Sequence, residues 1–180
     1  MMRRNCTLLA AAALAACARG SGDAAARWDD AGSREARAQV ERTMDAFAAR
    51  DLGGFTAGLA PDVVGFEVDL DGKPVRLGSR DEAARFAGST FAALAKMGAA
   101  LRLDRHATSC RADASLAWCT VEFDARATMP DGSSMVQPTR NTVVLRRDGG
   151  AWKWAEWHSS PAVAPPAPAA TPPAPGSAAG

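Results

Sequence analysis

The strongest constraint in this chain is a two-residue alternation over residues 116–129. Ala117, Cys119, Val121, Phe123, Ala125 and Ala127 fall on one face, and Trp118, Thr120, Glu122, Asp124, Arg126 and Thr128 on the other. Successive side chains of a strand point to opposite sides of its sheet, so this is a long strand with one covered face and one polar or partner-facing face. Its apolar face needs a covering layer.

The segments around it supply that layer. Over residues 35–49, Val40, Met44, Phe47 and Ala48 share one helical face. Asp51 is placed to cap a second, short helix running to about residue 59, where Pro61 stops it. Residues 63–70 alternate as a strand, Asp71 and Gly72 signal a hairpin, and residues 74–77 return. Ser79 with Glu82 three residues on is a capping box for a helix to Met97, ended by Gly98, with Ala83, Phe86, Phe91 and Leu94 inward. Strands at 101–109, 116–129, 139–147 and, after the Asp148, Gly149, Gly150 turn, 152–159 complete the pattern. Helices first and a long antiparallel sheet afterwards predict an α+β fold with the helices on one face of a curved sheet.

The two ends read differently. Arg3 and Arg4 precede an apolar run of about ten residues, too short for a membrane span, that closes on Leu14, Ala15, Ala16 and Cys17. This is similar to a bacterial lipobox, which implies that residues 1–16 are removed, Cys17 is acylated, and the protein is anchored at the membrane; ordinary cleavage to a soluble periplasmic protein is the competing reading. Ala18 after the cysteine favours the outer membrane, with the domain facing the periplasm. Residues 17–32 read as a flexible tether, 33–160 as the folded domain, and 161–180, with seven prolines and no charge, as a disordered tail.

Of 21 basic residues, cleavage removes Arg3 and Arg4, leaving 19 against 20 acidic ones. That balance does not indicate a nucleic-acid partner. Cys110 and Cys119 are expected to stay free despite an oxidising compartment. Pairing Leu101 and Leu103 with the apolar face of the next strand sets Ala107 opposite Cys119 and leaves the two Cα atoms roughly 10 Å apart, beyond a disulfide's reach of about 7 Å.

Four stretches then carry a resemblance. They are residues 51–64, closing with Ala60, Pro61, Asp62, Val63 and Val64; the run Leu77, Gly78, Ser79, Arg80, Asp81, Glu82; residues 113–118; and Arg146, Arg147, Asp148, Gly149 through Trp152 to Trp157, His158, Ser159 and Ser160. In order and spacing they resemble the SnoaL-like branch of the nuclear-transport-factor-like, ketosteroid-isomerase-like cone fold. The closing segment is also similar to the association domain of calcium/calmodulin-dependent protein kinase II. The resemblance implies a cone-shaped, cystatin-like α+β barrel with a deep cavity, used by different members for isomerisation, cyclisation, dehydration, ligand binding or assembly. Fold alone does not choose among these.

Ketosteroid isomerases of this fold use a carboxylate base with a tyrosine and a protonated aspartic acid, and this chain has no tyrosine. Asp62, Glu67, Asp69 and Glu156 stand near cavity positions and could act as a base if desolvated. The two histidines, His106 and His158, have no neighbouring thiolate or carboxylate at ligand spacing, so neither a metal nor another cofactor is expected. Trp152 and Trp154 share a face, while Trp157 and His158 point to opposite faces, so only one of the latter pair can line a given cavity. Arg105 follows Leu101 and Leu103 at inward parity unless a bulge turns it out, and a buried arginine needs a carboxylate or an anionic ligand. Arg140 corresponds in place to cavity arginines of relatives, yet the alternation of Val143 and Leu145 sets it on the opposite face. The sequence therefore predicts a small ligand, anionic or hydrogen-bond accepting, held by Arg105 or Arg140 with Trp157 and His158, and a homodimer through the face bearing Trp118. A small isomerase, cyclase or hydratase-like enzyme and a ligand-free assembly module remain as alternatives.

Overall fold

The computed structural model describes residues 30–69 and 72–162. Two helices, α1 (Asp30–Ala48) and α2 (Leu52–Ala57), precede strands β1 (Leu59–Val68) and β2 (Pro74–Leu77). Helix α3 (Arg80–Lys96) follows, and then β3 (Ala100–Ala112), β4 (Leu116–Thr128), β5 (Ser134–Asp148) and β6 (Ala151–Pro161). The six strands form one sheet in the order β2-β1-β6-β5-β4-β3, antiparallel except where β1 meets β6. This is the α+β architecture the patterning predicts, a mostly antiparallel sheet with its helices packed on one side. Residues 1–29 and 163–180 lie outside the described residues, and with them Cys17, most of the tether and most of the tail.

Local chemistry sets the element ends. Asp51 accepts from the Gly54 amide at the start of α2. At α3 Ser79 Oγ accepts from the Glu82 amide, and Glu82 reaches back past the cap, where its Oε2 accepts from the Gly78 amide at 2.6 Å in place of the Ser79 amide of a regular capping box. The second helix stops earlier than expected, at Ala57, and β1 already begins at Leu59. Pro61 is accommodated because the β1–β6 pairing is irregular between Leu59 and Val64. Strand β5 starts before Pro138, not after it. On the β6 side Pro138 O accepts from the Ala162 amide at 2.8 Å just beyond the end of β6 at Pro161, so the proline, unable to donate in return, sits where the ladder stops.

The core lies between the helices and the concave sheet face. Ala36, Val40 and Met44 of α1, Ala83 and Phe91 of α3, and Val121, Val143 and Leu145 of the sheet belong to one buried cluster. Trp152, Trp154 and Trp157 are all buried too. Two share parity and the third does not; a bulge at Ala155, between the pairs Leu145–Trp154 and Val144–Glu156, brings Trp157 to the same face.

One expectation is overturned. Cys110 and Cys119 form a disulfide, with Cα atoms 4.1 Å apart as direct cross-strand partners. Apolar matching alone gave the wrong register, because two local features set it. Asp113 Oδ1 accepts from the Ser115 and Leu116 amides, closing a tight turn that fixes Ala112 opposite Ala117. A bulge at His106, between the pairs Arg105–Phe123 and Ala107–Glu122, absorbs the mismatch with Leu101 and Leu103.

Candidate functional site

The concave face of the sheet and helices α1 and α3 enclose a cavity of about 460 Å³. Its wall is mostly apolar. Phe47, Phe55 and Phe86 contribute from the helical side, and Leu101, Leu103 and Phe123 from the sheet. Phe47 touches both Phe55 and Phe91, with ring centroids 5.3 and 5.0 Å apart. Trp154 and Trp157 meet edge-on at 6.0 Å.

Glu67 interrupts this wall. In β1 the buried Val63 and Gly65 share its parity, so strand alternation turns Glu67 to the concave side. Trp157 Nε1 donates to Glu67 Oε1, and Ser159 Oγ donates to the same oxygen at 2.7 Å. Oε2 is left without a side-chain donor. The residue is partly accessible because it opens on the cavity, while protein atoms surround its carboxyl on the remaining sides. Burial pushes that carboxyl above its ordinary value of 4.5, outweighing the opposing hydrogen bonds from Ser159, Trp157 and the Val68 amide and the charge of His158.

Beside Glu67 the polar lining continues across the sheet. Asn141 is the register partner of Ser159, and Thr139 lies two residues further along β5. Asn141 Oδ1 is buried without a donor. Trp154 Nε1, also in the cavity wall, is buried without an acceptor. Thr43 of α1 completes the set, with its hydroxyl given to the Gln39 carbonyl at 3.0 Å.

The structure separates the residues that the sequence groups together. Trp157 lines the cavity, whereas His158 faces the outside, edge-on to Phe66 with centroids 6.3 Å apart. Arg140 lies on the outer face, where its Nη2 donates to Glu122 Oε1 at 2.8 Å. The alternation of Val143 and Leu145 therefore decides its direction. Arg105 lies outside the cavity wall as well: it is exposed, and its guanidinium pairs with Asp45 of α1 at the surface, so the inward parity does not bury it. Among the described residues, no arginine, lysine or histidine lines the cavity. Of the other carboxylates, Asp62 is on the surface with Arg146, which holds its carboxyl below the usual range. Asp69 closes the β1–β2 hairpin by accepting from the Lys73 amide.

Of the cavity's polar groups, Glu67 is one of the four carboxylates the sequence offers, and Asn141 is one it does not single out. A glutamate at the parity of Val63, and an asparagine at the parity of Val143, are polar residues on an otherwise covered face. Both are visible once the strand phase is set.

Nothing matches among curated proteins. Solved structures do match. An NTF2-like protein of unknown function from Pseudomonas putida is 23% identical, with 74% of this chain and 88% of that one covered and a TM-score of 0.60. A candidate dehydratase of the NTF2-like family from Streptomyces avermitilis is 17% identical, covering 76% and 100%, with a TM-score of 0.63. A candidate calcium/calmodulin-dependent protein kinase type II association domain from Thiobacillus denitrificans is 25% identical, covering 70% and 94%, with a TM-score of 0.56. The family model for the SnoaL-like domain matches residues 36–164, and the chain belongs to that family.

Proposed function

We propose that this chain is a lipid-anchored protein of the cell envelope whose cavity binds a small, neutral, largely apolar molecule with Glu67 as its principal polar contact. One observation carries the reading: a single carboxyl, raised in pKa by burial, is built into an apolar wall and held by two side-chain donors. A wall with that group and no cation disfavours an anionic ligand, which would meet repulsion and an unpaid desolvation cost. The sequence-derived preference for an anion held by Arg105 or Arg140 is replaced accordingly.

The envelope location rests on the run that closes at Cys17 and is supported by the Cys110–Cys119 disulfide, since such bonds persist in oxidising compartments. Anchoring would place the domain at the outer membrane, facing the periplasm. Cys17→Ser should abolish acyl labelling and membrane recovery, and unchanged labelling would refute the anchor.

Two probes with one skeleton test the cavity. N-phenyl-1-naphthylamine is neutral with one N–H; 1-anilinonaphthalene-8-sulfonate adds a sulfonate. The neutral probe should bind at least about tenfold more tightly, a difference of about 1.4 kcal/mol. Tighter binding of the sulfonate would restore the anionic reading, and binding of neither would remove the ligand reading. A second reading, an isomerase or dehydratase-like enzyme, is favoured by the raised pKa of Glu67, which suits a proton-transferring carboxyl.

A further inference from the structure

Asn141 stands in a central strand with 7% of its surface exposed, and its Oδ1 has no donor. A buried amide oxygen left unpaired weakens a fold, whereas leucine in its place would pack without that cost. The amide thus contributes polarity to the cavity wall, while its Oδ1 accepts no hydrogen bond from the fold.

Its position gives that polarity a direction. Asn141 on β5 is directly opposite Ser159 on β6, and Ser159 Oγ donates to Glu67 Oε1. Both side-chain donors to Glu67, Trp157 and Ser159, come from β6, so the carboxyl is drawn over that strand. Adjacent strands lie about 4.8 Å apart. A planar group that donates to one polar contact and accepts from the other would suit this spacing. Of the carboxamide's two ends, Oδ1 is enclosed by protein, whereas Nδ2 is neither fully enclosed nor given to an acceptor among the described residues, so it is the donor end that a ligand in the cavity can meet.

Resting on the reading of Glu67 as the principal contact, we infer that Asn141 is the second polar contact. The pair then selects a neutral molecule with a hydrogen-bond donor beside a carbonyl oxygen, such as a lactam or secondary amide on a flat apolar body. The donor meets Glu67 Oε2 and the carbonyl accepts from the Asn141 amide.

Three probes of one shape separate the terms. 2-Quinolone has N–H and C=O side by side, 1-methyl-2-quinolone lacks the donor, and naphthalene lacks both. The purified full chain should bind 2-quinolone about tenfold more tightly than 1-methyl-2-quinolone and more tightly still than naphthalene. Asn141→Leu should bind naphthalene at least as well as wild type, lose the advantage of either quinolone over naphthalene that comes from the carbonyl, and melt at a higher temperature. Asn141→Ala gives the same ligand readout if leucine overfills the site. Retention of the full quinolone preference in both variants overturns the inference. If wild type binds N-phenyl-1-naphthylamine and naphthalene without preferring 2-quinolone, Asn141 loses its role and the cavity reading stands. If it binds none of these probes, both fall.

Discussion

Gly65 lies so close beneath the indole of Trp157 that a Cβ on it would come within 2.3 Å of Trp157 Cζ2. The two residues are register partners across the parallel β1–β6 pair, so the ring lies over the neighbouring strand and brings Nε1 to Glu67. A single hydrogen atom at residue 65 thus positions the donor that holds the cavity carboxyl.

Gly65→Ala should therefore displace Trp157 and detach it from Glu67. Overpacking of this kind costs about 1–3 kcal/mol. Chemical denaturation should show that loss, and N-phenyl-1-naphthylamine should bind more weakly to the folded variant. An alanine variant with wild-type stability and binding would mean that the ring moves aside at no cost.

Glu67 gives the stability a pH dependence of definite sign. Its folded-state pKa is raised above the ordinary 4.5, so between these two values the native state binds more protons than the unfolded chain. Stability contributed by the protonated group is present below about 4.5 and falls as pH rises through the folded-state pKa. Glu67→Gln should flatten this part of the curve and leave the variant relatively more stable at neutral pH. Denaturation midpoints measured from pH 4 to 8 check it; parallel curves for variant and wild type would show that Glu67 ionises freely in the fold.

Much of this was legible before the structure. The alternation of β4, the Ser79 cap and the Asp51 cap depend on nearest neighbours in the chain, and each appears as expected. Bulges do not show in alternation: those at His106 and Ala155 change strand phase and turn Cys110 and Trp157 to the inner face. The arginines failed as cavity residues for a related reason. Parity brings Arg105 toward the helices, but the partner waiting there is Asp45, sixty residues away in the chain.

The disulfide closes a short hairpin loop, with nine residues of separation between Cys110 and Cys119. A loop of that size corresponds to about 2–3 kcal/mol of stabilisation in the chain-entropy account. Reductant should lower the unfolding free energy by that amount, and Cys110→Ala/Cys119→Ala should reach the same value with no further response to reductant. Two free thiols in unreduced, unfolded protein would contradict the pairing.

The outer sheet face yields the last prediction. Trp118 exposes 54% of its surface and Leu116 exposes 51%, both on the side of β4 away from the helices. On the same face the Arg140–Glu122 ion pair provides a polar border. A large aromatic beside an aliphatic, edged by charge, has the composition of an interface centre and its rim. We propose a homodimer through this face, each Trp118 burying against the partner's sheet. Because Trp118 is exposed in the single chain, Trp118→Glu should leave the thermal midpoint of the monomer within about 2 °C, a surface-level effect. It should weaken association by at least about 2 kcal/mol, roughly thirtyfold in dissociation constant. Sedimentation across a concentration series measures both species. A wild-type protein that stays monomeric throughout, or a glutamate variant that dimerises as tightly as wild type, would remove Trp118 as an interface residue and leave the cavity as the functional feature of the domain.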